Sequence, residues 1–384
     1  MGFEGGQVQN AIYVSGESPW PISPEEWEAR AKETLEPGPF DYIAGGAGAE
    51  STMRANLESF ERRRLRPRML TGNAERDISV QVLGTRSVAP FLLAPIGVLS
   101  IAHEDGEIAV ARAAAATGVP MVLSSAASHS IEEVAEAMGD APRWFQLYWV
   151  NDRDVAMSLV ARAETSGYGA IVVTLDTLTL GWRPRDLSKA YLPFLSGEGC
   201  AQFFSDPVFR SRLERPPEDD LLGAAAAMLS TFPNLGLTWE DLRWLRRQTT
   251  MPLLVKGVLT GDDAPRALDC GVEGIVVSNH GGRQVDGAVA ALDALVEVRE
   301  AVGSDAVVLM DSGIRRGADV LKALALGANA VLLGRPYAYG LAVGGQEGVE
   351  TVLRHLMAET DLTLALAGGK RAEDLDESWI AASS

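Results

Sequence analysis

Cysteine and histidine are scarce in this chain, at two and four residues in 384. Cys200 and Cys270 stand far apart, which excludes a disulfide framework and a clustered thiolate metal site. No HExxH or paired-histidine pattern occurs, so no metal ligands are expected and a metal hydrolase loses ground. Excess positive charge is also missing: 34 Lys and Arg against 52 Asp and Glu leave −18, the wrong sign for a nucleic-acid partner or an anionic membrane surface. A small anionic ligand is not excluded, because a few buried arginines create a local positive site inside an acidic protein. Long apolar runs are absent as well. The strongest, Phe91 to Ala102, is broken by Pro95 and Gly97 and falls short of the roughly 20 residues of a membrane span. The opening MGFEGGQVQN lacks the basic start and apolar core of a secretion signal and the hydroxyl residue that a myristoylation signal places at position 6. A soluble, cytoplasmic protein is expected.

What the chain does contain is a series of short β-rich apolar runs, most followed by a turn and an amphipathic helical stretch. They are FLLAPIG (91–97), VPMVLSS (119–125), RWFQLYW (143–149), AIVVTLD (170–176), PLLVKGV (252–258), GIVVSNHG (274–281), AVVLMDSG (306–313) and AVLLGRP (330–336). Continuous apolar runs alternating with helices such as 105–118 and 317–327 indicate parallel strands buried on both faces. Eight such units predict an α/β fold, a closed (β/α)8 TIM barrel, with a doubly wound open sheet as the alternative. One barrel domain is expected over 1–384. Residues 1–90 form an N-terminal helical segment that caps the barrel bottom or leads into it, with 21–35 a capped amphipathic helix. The barrel proper spans 91–370. Residues 177–251, after strand 4, form a long insertion, read as a helix at 238–249 and otherwise mostly loop. Such an insertion is a lid over the catalytic face or an oligomer contact.

Reactive side chains fall at the strand ends: Gln146 and Tyr148 at the third, Thr174 and Asp176 at the fourth, Lys256 at the fifth, His280 at the sixth and Asp311 at the seventh. In a barrel these ends converge on one face. DSGIRRG (311–317) and GRP (334–336) follow strands seven and eight, where this barrel recurrently binds phosphate, and supply backbone N–H groups with Arg315 and Arg335. His280 is the one histidine of the four at a barrel strand end; His103, His129 and His355 look like loop or helix-surface residues. His280 suits a general base, Asp176 its orienting carboxylate, and Arg283 or Arg183 a clamp on a substrate carboxylate, with Arg185 read as a surface ion pair. Lys256 is either a Schiff-base nucleophile or a fixed positive charge beside an electron-rich cofactor.

The segments FDYIAGGAGAESTMRAN (40–56), LRPRML (65–70), FQLYW (145–149), TLDT (174–177), VKGV (255–258), SNHGGRQ (278–284) and DSGIRRGADVLKALALGA (311–328) together resemble the FMN-dependent L-2-hydroxy acid oxidising family. The resemblance covers about residues 24 to 370. It implies FMN as cofactor, a small 2-hydroxy acid and O2 as partners, and a homotetramer or homo-octamer. Carried over residue by residue, it implies that Tyr42, Arg183 and Arg283 hold the substrate carboxylate, that Tyr148 meets its hydroxyl or keto oxygen, and that His280 is the base with Asp176 as partner. Lys256 would take the fixed-charge role near the flavin. Pro95, Ile96, Gly97, Ser124, Gln146, Thr174 and Ser278 would surround the flavin ring, and Asp311 the ribityl chain. Gly313, Arg315, Gly334 and Arg335 would take the phosphate. Within the family, APIG (94–97), GWRPRDL (181–187), DPVF (206–209) and the long insertion resemble the lactate 2-monooxygenase branch most, which implies oxidation of L-lactate to acetate, carbon dioxide and water. A simple oxidase releasing the keto acid and hydrogen peroxide is the alternative. Outside the family, the residues alone leave open a Schiff-base lyase and a non-catalytic FMN-binding protein.

Overall fold

A computed structural model describes residues 4–16 and 18–381. The first three residues of the N-terminal stretch judged above lie outside that range. All eight expected strands form: β1 (Phe91–Leu93), β2 (Met121–Ser124), β3 (Arg143–Tyr148), β4 (Ile171–Thr174), β5 (Leu253–Val258), β6 (Gly274–Val277), β7 (Val307–Met310) and β8 (Ala330–Leu333). They pair in parallel around a closed barrel, β8 returning to β1 through Val331↔Phe91 and Leu333↔Leu93. The open-sheet alternative is thereby eliminated.

Strand side chains alternate between two faces, and both faces here are buried. One set, including Phe145, Leu147, Ile171, Val173, Val255 and Met310, packs outward against the helices. The other fills the barrel interior with Leu92, Val122, Trp144, Val172, Leu254, Val276, Leu309 and Leu332. Continuous apolar runs are the sequence consequence.

The barrel bottom is closed differently from the expectation. An antiparallel hairpin, Val80–Val82 with Thr85–Ser87, inserts Val80 and Val82 into the interior cluster, and Trp144 donates its indole N–H to Thr85 Oγ1 at 2.8 Å. Two N-terminal helices instead reach the opposite, catalytic face. Pro37–Ala44 ends where Arg283 donates to the carbonyls of Tyr42 and Gly45, and Ser51–Glu61 carries Asn56, whose amide pairs with that of Asn279. A helix at Pro24–Thr34 does form, with the Ser23/Glu26 capping box that its sequence foretold.

The insertion after β4 holds the expected helix near β5 and several further helices that the sequence did not show, joined by loop. It contains Pro184–Ser188, Ala201–Phe204, Pro207–Arg210, Leu221–Thr231 and Trp239–Arg246. Most of these are too short for a 3.6-residue period to show, and they are held by caps and packing. Asp206 caps Val208 and Phe209 at 2.9 Å each, Asp220 caps Gly223 at 3.0 Å, and Phe203, Phe209 and Met228 are buried. No helix among the described residues is long and apolar enough to cross a membrane.

Trp144→Ala should remove the largest side chain of the barrel floor and leave a cavity, costing about 3–5 kcal/mol. Urea denaturation should show that loss with the far-UV spectrum of the folded state retained; a change under 1 kcal/mol would mean the hairpin collapses into the space.

Candidate active site

The inward parity of each strand carries past its apolar layer into a polar one. Two residues beyond Val122, Trp144, Val172, Leu254, Val276 and Leu309 stand Ser124, Gln146, Thr174, Lys256, Ser278 and Asp311. They bond to one another around the barrel mouth. Ser124 Oγ donates to Gln146 Oε1 at 3.1 Å and Gln146 Nε2 to Thr174 Oγ1 at 2.9 Å. Lys256 Nζ donates to Ser278 Oγ at 2.8 Å and lies 3.1 Å from Asp311 Oδ2 and 3.9 Å from Asp176 Oδ2. Burial alone pulls the Lys256 pKa down, but Asp311 and Asp176 outweigh it and raise it. A raised pKa keeps Lys256 an ammonium, the form that suits a fixed charge and not a nucleophilic amine.

Above this ring lies a cavity of about 410 Å³. Its wall includes Tyr42, Tyr148, Arg183, Lys256, His280, Arg283 and Asp311, together with Pro95, Ile96, Gly97, Gly313, Arg315, Gly334 and Arg335. Gln146, Thr174, Ser124 and Ser278 sit in the ring without reaching the cavity wall, and Asp176 stands behind His280. Chain turns place the key groups. His280 adopts φ 58° and is followed by Gly281 and Gly282 at 65° and 75°, a left-handed turn that sharply reverses the chain after β6. A Cβ on Gly282 would lie 2.7 Å from the Met53 amide nitrogen, so that turn packs directly on the helix Ser51–Glu61.

His280 Nδ1 faces Asp176 Oδ1 at 2.9 Å and Thr177 Oγ1 at 3.2 Å. Its Nε2 has no protein partner among the described residues. Burial disfavours the imidazolium; Asp176 pulls the other way, Lys256 reinforces burial, and the pKa is lowered from its ordinary 6.5. Burial also opposes the Asp176 carboxylate, yet His280 and Lys256 outweigh it and bring its pKa down to about 2. The result is a neutral imidazole backed by a fixed carboxylate, a geometry that accepts a proton at Nε2 and stabilises the charge it gains. Tyr148 stacks on His280 with ring centroids 6.5 Å apart, and burial followed by the Asp176 charge pushes its phenol up to about 12, so it remains a hydrogen-bond donor.

Positive charge is crowded on the opposite wall. Burial, then the neighbouring Arg183, pulls the Arg283 pKa down to about 9, and burial brings Arg335 down to about 10. Arg283 uses one terminal nitrogen on the Tyr42 and Gly45 carbonyls and stacks over the Tyr42 ring at 5.0 Å, while its Nε and other terminal nitrogen have no partner among the described residues. Cations packed this closely in a dry pocket favour an anion between them. Arg185 instead forms an ion pair with Glu50 at 2.6 Å, part-buried and not fully at the surface.

A second anion site fits phosphate. The helix Arg335–Ala367 begins at Gly334 with no side-chain cap; Pro336 has no N–H and the Tyr337 N–H donates to the Gly334 carbonyl at 3.2 Å, so the Arg335 N–H is the first-turn donor left without a partner among the described residues, and a Cβ on Gly334 would meet nothing within 4 Å. Gly334, Arg335, Gly313 and Arg315 border the cavity there. The residues therefore suit FMN: phosphate at this helix start, Lys256 near an electron-rich ring.

A sequence model of the FMN-dependent dehydrogenase family matches residues 31–382. The chain belongs to that family. FMN is the cofactor, and the protein is an FMN-dependent oxidoreductase. It is 46% identical over 377 residues to FMN-dependent alpha-hydroxy acid dehydrogenase qulF of Penicillium citrinum, covering 96% of this chain and 94% of that one. It is 41% identical over 362 residues to L-lactate oxidase of Lysinibacillus sphaericus, covering 94% and 93%. Among solved structures, mandelate oxidase superposes with a TM-score of 0.82 at 39% identity, covering 92% of this chain and 96% of that one.

Sequence reasoning missed several residues that hold this FMN-dependent oxidoreductase together. His129 lies in a loop, as read, but it is half-buried and its Nδ1 meets the fully buried Glu107 at 2.9 Å, a bond that raises its pKa. Glu107 also accepts the amides of Leu99 and Ser128 at 3.1 Å each, tying together the loops after β1 and β2. The i+22 spacing carries no local signal. Thr177, beside Asp176 in TLDT, was visible but given no role.

His280 should titrate below pH 6.5. Histidine-labelled NMR should find its imidazole neutral at pH 7; an imidazolium persisting there would mean that the Asp176 field outweighs burial.

Proposed function

We propose that this enzyme oxidises a small L-2-hydroxy acid, L-lactate in the first instance. The carrying observation is the convergence of a free His280 Nε2, the unpartnered Arg283 nitrogens and Tyr148 on one cavity beside the phosphate site. Arg283, Arg183 and Tyr42 bind the carboxylate; Tyr148 donates to the hydroxyl oxygen; His280 takes its proton and Asp176 stabilises the imidazolium formed. Lys256 sets a fixed positive charge toward the cofactor. When bound, FMN accepts the two electrons of the oxidation and delivers them to O2.

The lid supports a finer reading. Leu192, Phe194, Leu229, Phe232 and Pro233 from the insertion line the cavity, and Phe232 packs edge-on against Tyr148 at 5.7 Å between centroids. An apolar roof suits a methyl-sized side chain and slows escape of the keto acid. Pyruvate retained with hydrogen peroxide reacts to acetate, carbon dioxide and water, so retention decides between monooxygenase and oxidase outcomes. The likeness to an L-lactate oxidase favours the same substrate and leaves that outcome to experiment. The cytoplasmic location and tetrameric or octameric assembly belong to the same proposal; the first rests on the two isolated cysteines and the N-terminal composition, the second on the resemblance.

His280→Ala should lower kcat/KM for L-lactate by about 10²–10⁴-fold while FMN stays bound, read by anaerobic stopped flow and the flavin spectrum. Wild-type reduction rates in that variant would remove the base assignment. With L-lactate and air, the native enzyme should give acetate and carbon dioxide with little free peroxide; stoichiometric pyruvate and peroxide would establish an oxidase whose roof does not retain its product.

A further inference from the structure

The motif SNHGGRQ ends on Gln284, a half-buried residue that stands outside the cavity wall. Its amide satisfies four hydrogen bonds, all on the segment that follows β4. Nε2 donates to the carbonyls of Asp176 at 3.0 Å and Thr179 at 2.9 Å. Oε1 accepts from a terminal nitrogen of Arg183 at 2.9 Å and from the Gly181 amide at 3.3 Å. A primary amide has two donors and an oxygen with two lone pairs, so this set uses its full capacity. The flipped orientation would set oxygen against two carbonyls and NH2 against a guanidinium. The two backbones touch: a Cβ on Gly181 would lie 2.4 Å from the Arg283 carbonyl oxygen, which also accepts from Arg183 Nε at 3.1 Å.

The two ends of the bracketed segment are not ordinary loop residues. Asp176 holds His280 Nδ1 at 2.9 Å, and Arg183 is 92% buried, its exposure being only 8%, with a terminal nitrogen left for the cavity. We propose that Gln284 is a positioning residue that fixes Asp176 and Arg183 jointly, so that one amide registers the proton acceptor against the carboxylate clamp. The proposal rests on the reading of His280 as base and Arg183 as carboxylate partner. The amide transmits position through backbone carbonyls on one side and a guanidinium on the other. Its donor half therefore governs the base, and its acceptor half governs substrate anion binding.

Two variants separate those halves. Gln284→Met keeps the volume and removes all four bonds. Gln284→Glu keeps the shape and an acceptor for Arg183 but turns an oxygen onto the Asp176 and Thr179 carbonyls. In FMN-loaded Gln284→Met, kcat/KM for L-lactate should fall on the order of 100-fold, the loss typical of a displacement near 1 Å. The acid limb of its pH profile should move to lower pH, because Asp176 withdrawn from His280 no longer supports the imidazolium. Pyruvate should bind about 10-fold more weakly as product inhibitor. Gln284→Glu should recover more of the pyruvate affinity than of kcat. Kinetics within twofold of the native enzyme in either variant would overturn the proposal. So would a loss of activity with the pH profile and pyruvate affinity unmoved, or failure of both variants to retain FMN, since each describes a purely structural glutamine. Native enzyme that turns over no 2-hydroxy acid would instead overturn the functional reading beneath it.

Discussion

Side chains alternate along a β-strand, and closing the sheet into a barrel turns that alternation into stacked layers that every strand must share. The site depends on this constraint. Trp144 and its neighbours occupy one interior layer, so the residue two positions further along each strand has to enter the next. Ser124, Gln146, Thr174, Lys256, Ser278 and Asp311 are that next layer, and their mutual hydrogen bonds make polar burial tolerable at the mouth. A one-residue slip in any strand would send its polar residue into the helices and an aliphatic one into the site.

Electrostatics then divides the mouth into two regions. Asp176 and Asp311 flank Lys256 and keep the lysine charged, while burial, reinforced by Lys256, keeps the neighbouring imidazole neutral. Across the cavity, Arg183, Arg283 and Arg335 border one pocket, and burial lowers the pKa of Arg283 and Arg335 there. An overall charge of −18 says nothing of this, because the arginines are withdrawn from the surface into one pocket.

The parts that complete the site come from far away in the chain. The helices before the barrel bring Tyr42, Gly45 and Asn56 onto the catalytic face, and the insertion brings the aromatic roof. Each is held by bonds between elements: Asp286 accepts from Ser51, Thr52 and Ala49, and Gln202 of the insertion bonds the backbone of His129 and Ile131. These contacts give the cavity a defined wall above a rigid barrel.

The sequence by itself determined the eight strands and the polar residues at their ends, because strand burial and turn chemistry are written in local periodicity. The placement of His280, Arg283 and the glycine–arginine loops at the barrel mouth was legible for the same reason: each follows a recognisable apolar run. Tertiary structure alone decided which element closes the barrel floor, since Val80 and Val82 resemble any short alternating pair until Trp144 is beside them. It also decided that the insertion carries further short helices, that Lys256 is charged, that His129 is tied to Glu107, and that Gln284 brackets Asp176 with Arg183. Those facts are contacts and fields between residues separated by tens to hundreds of positions. Local pattern carries no record of distance in space, and a pKa or a shared hydrogen bond exists only once the chain has closed on itself.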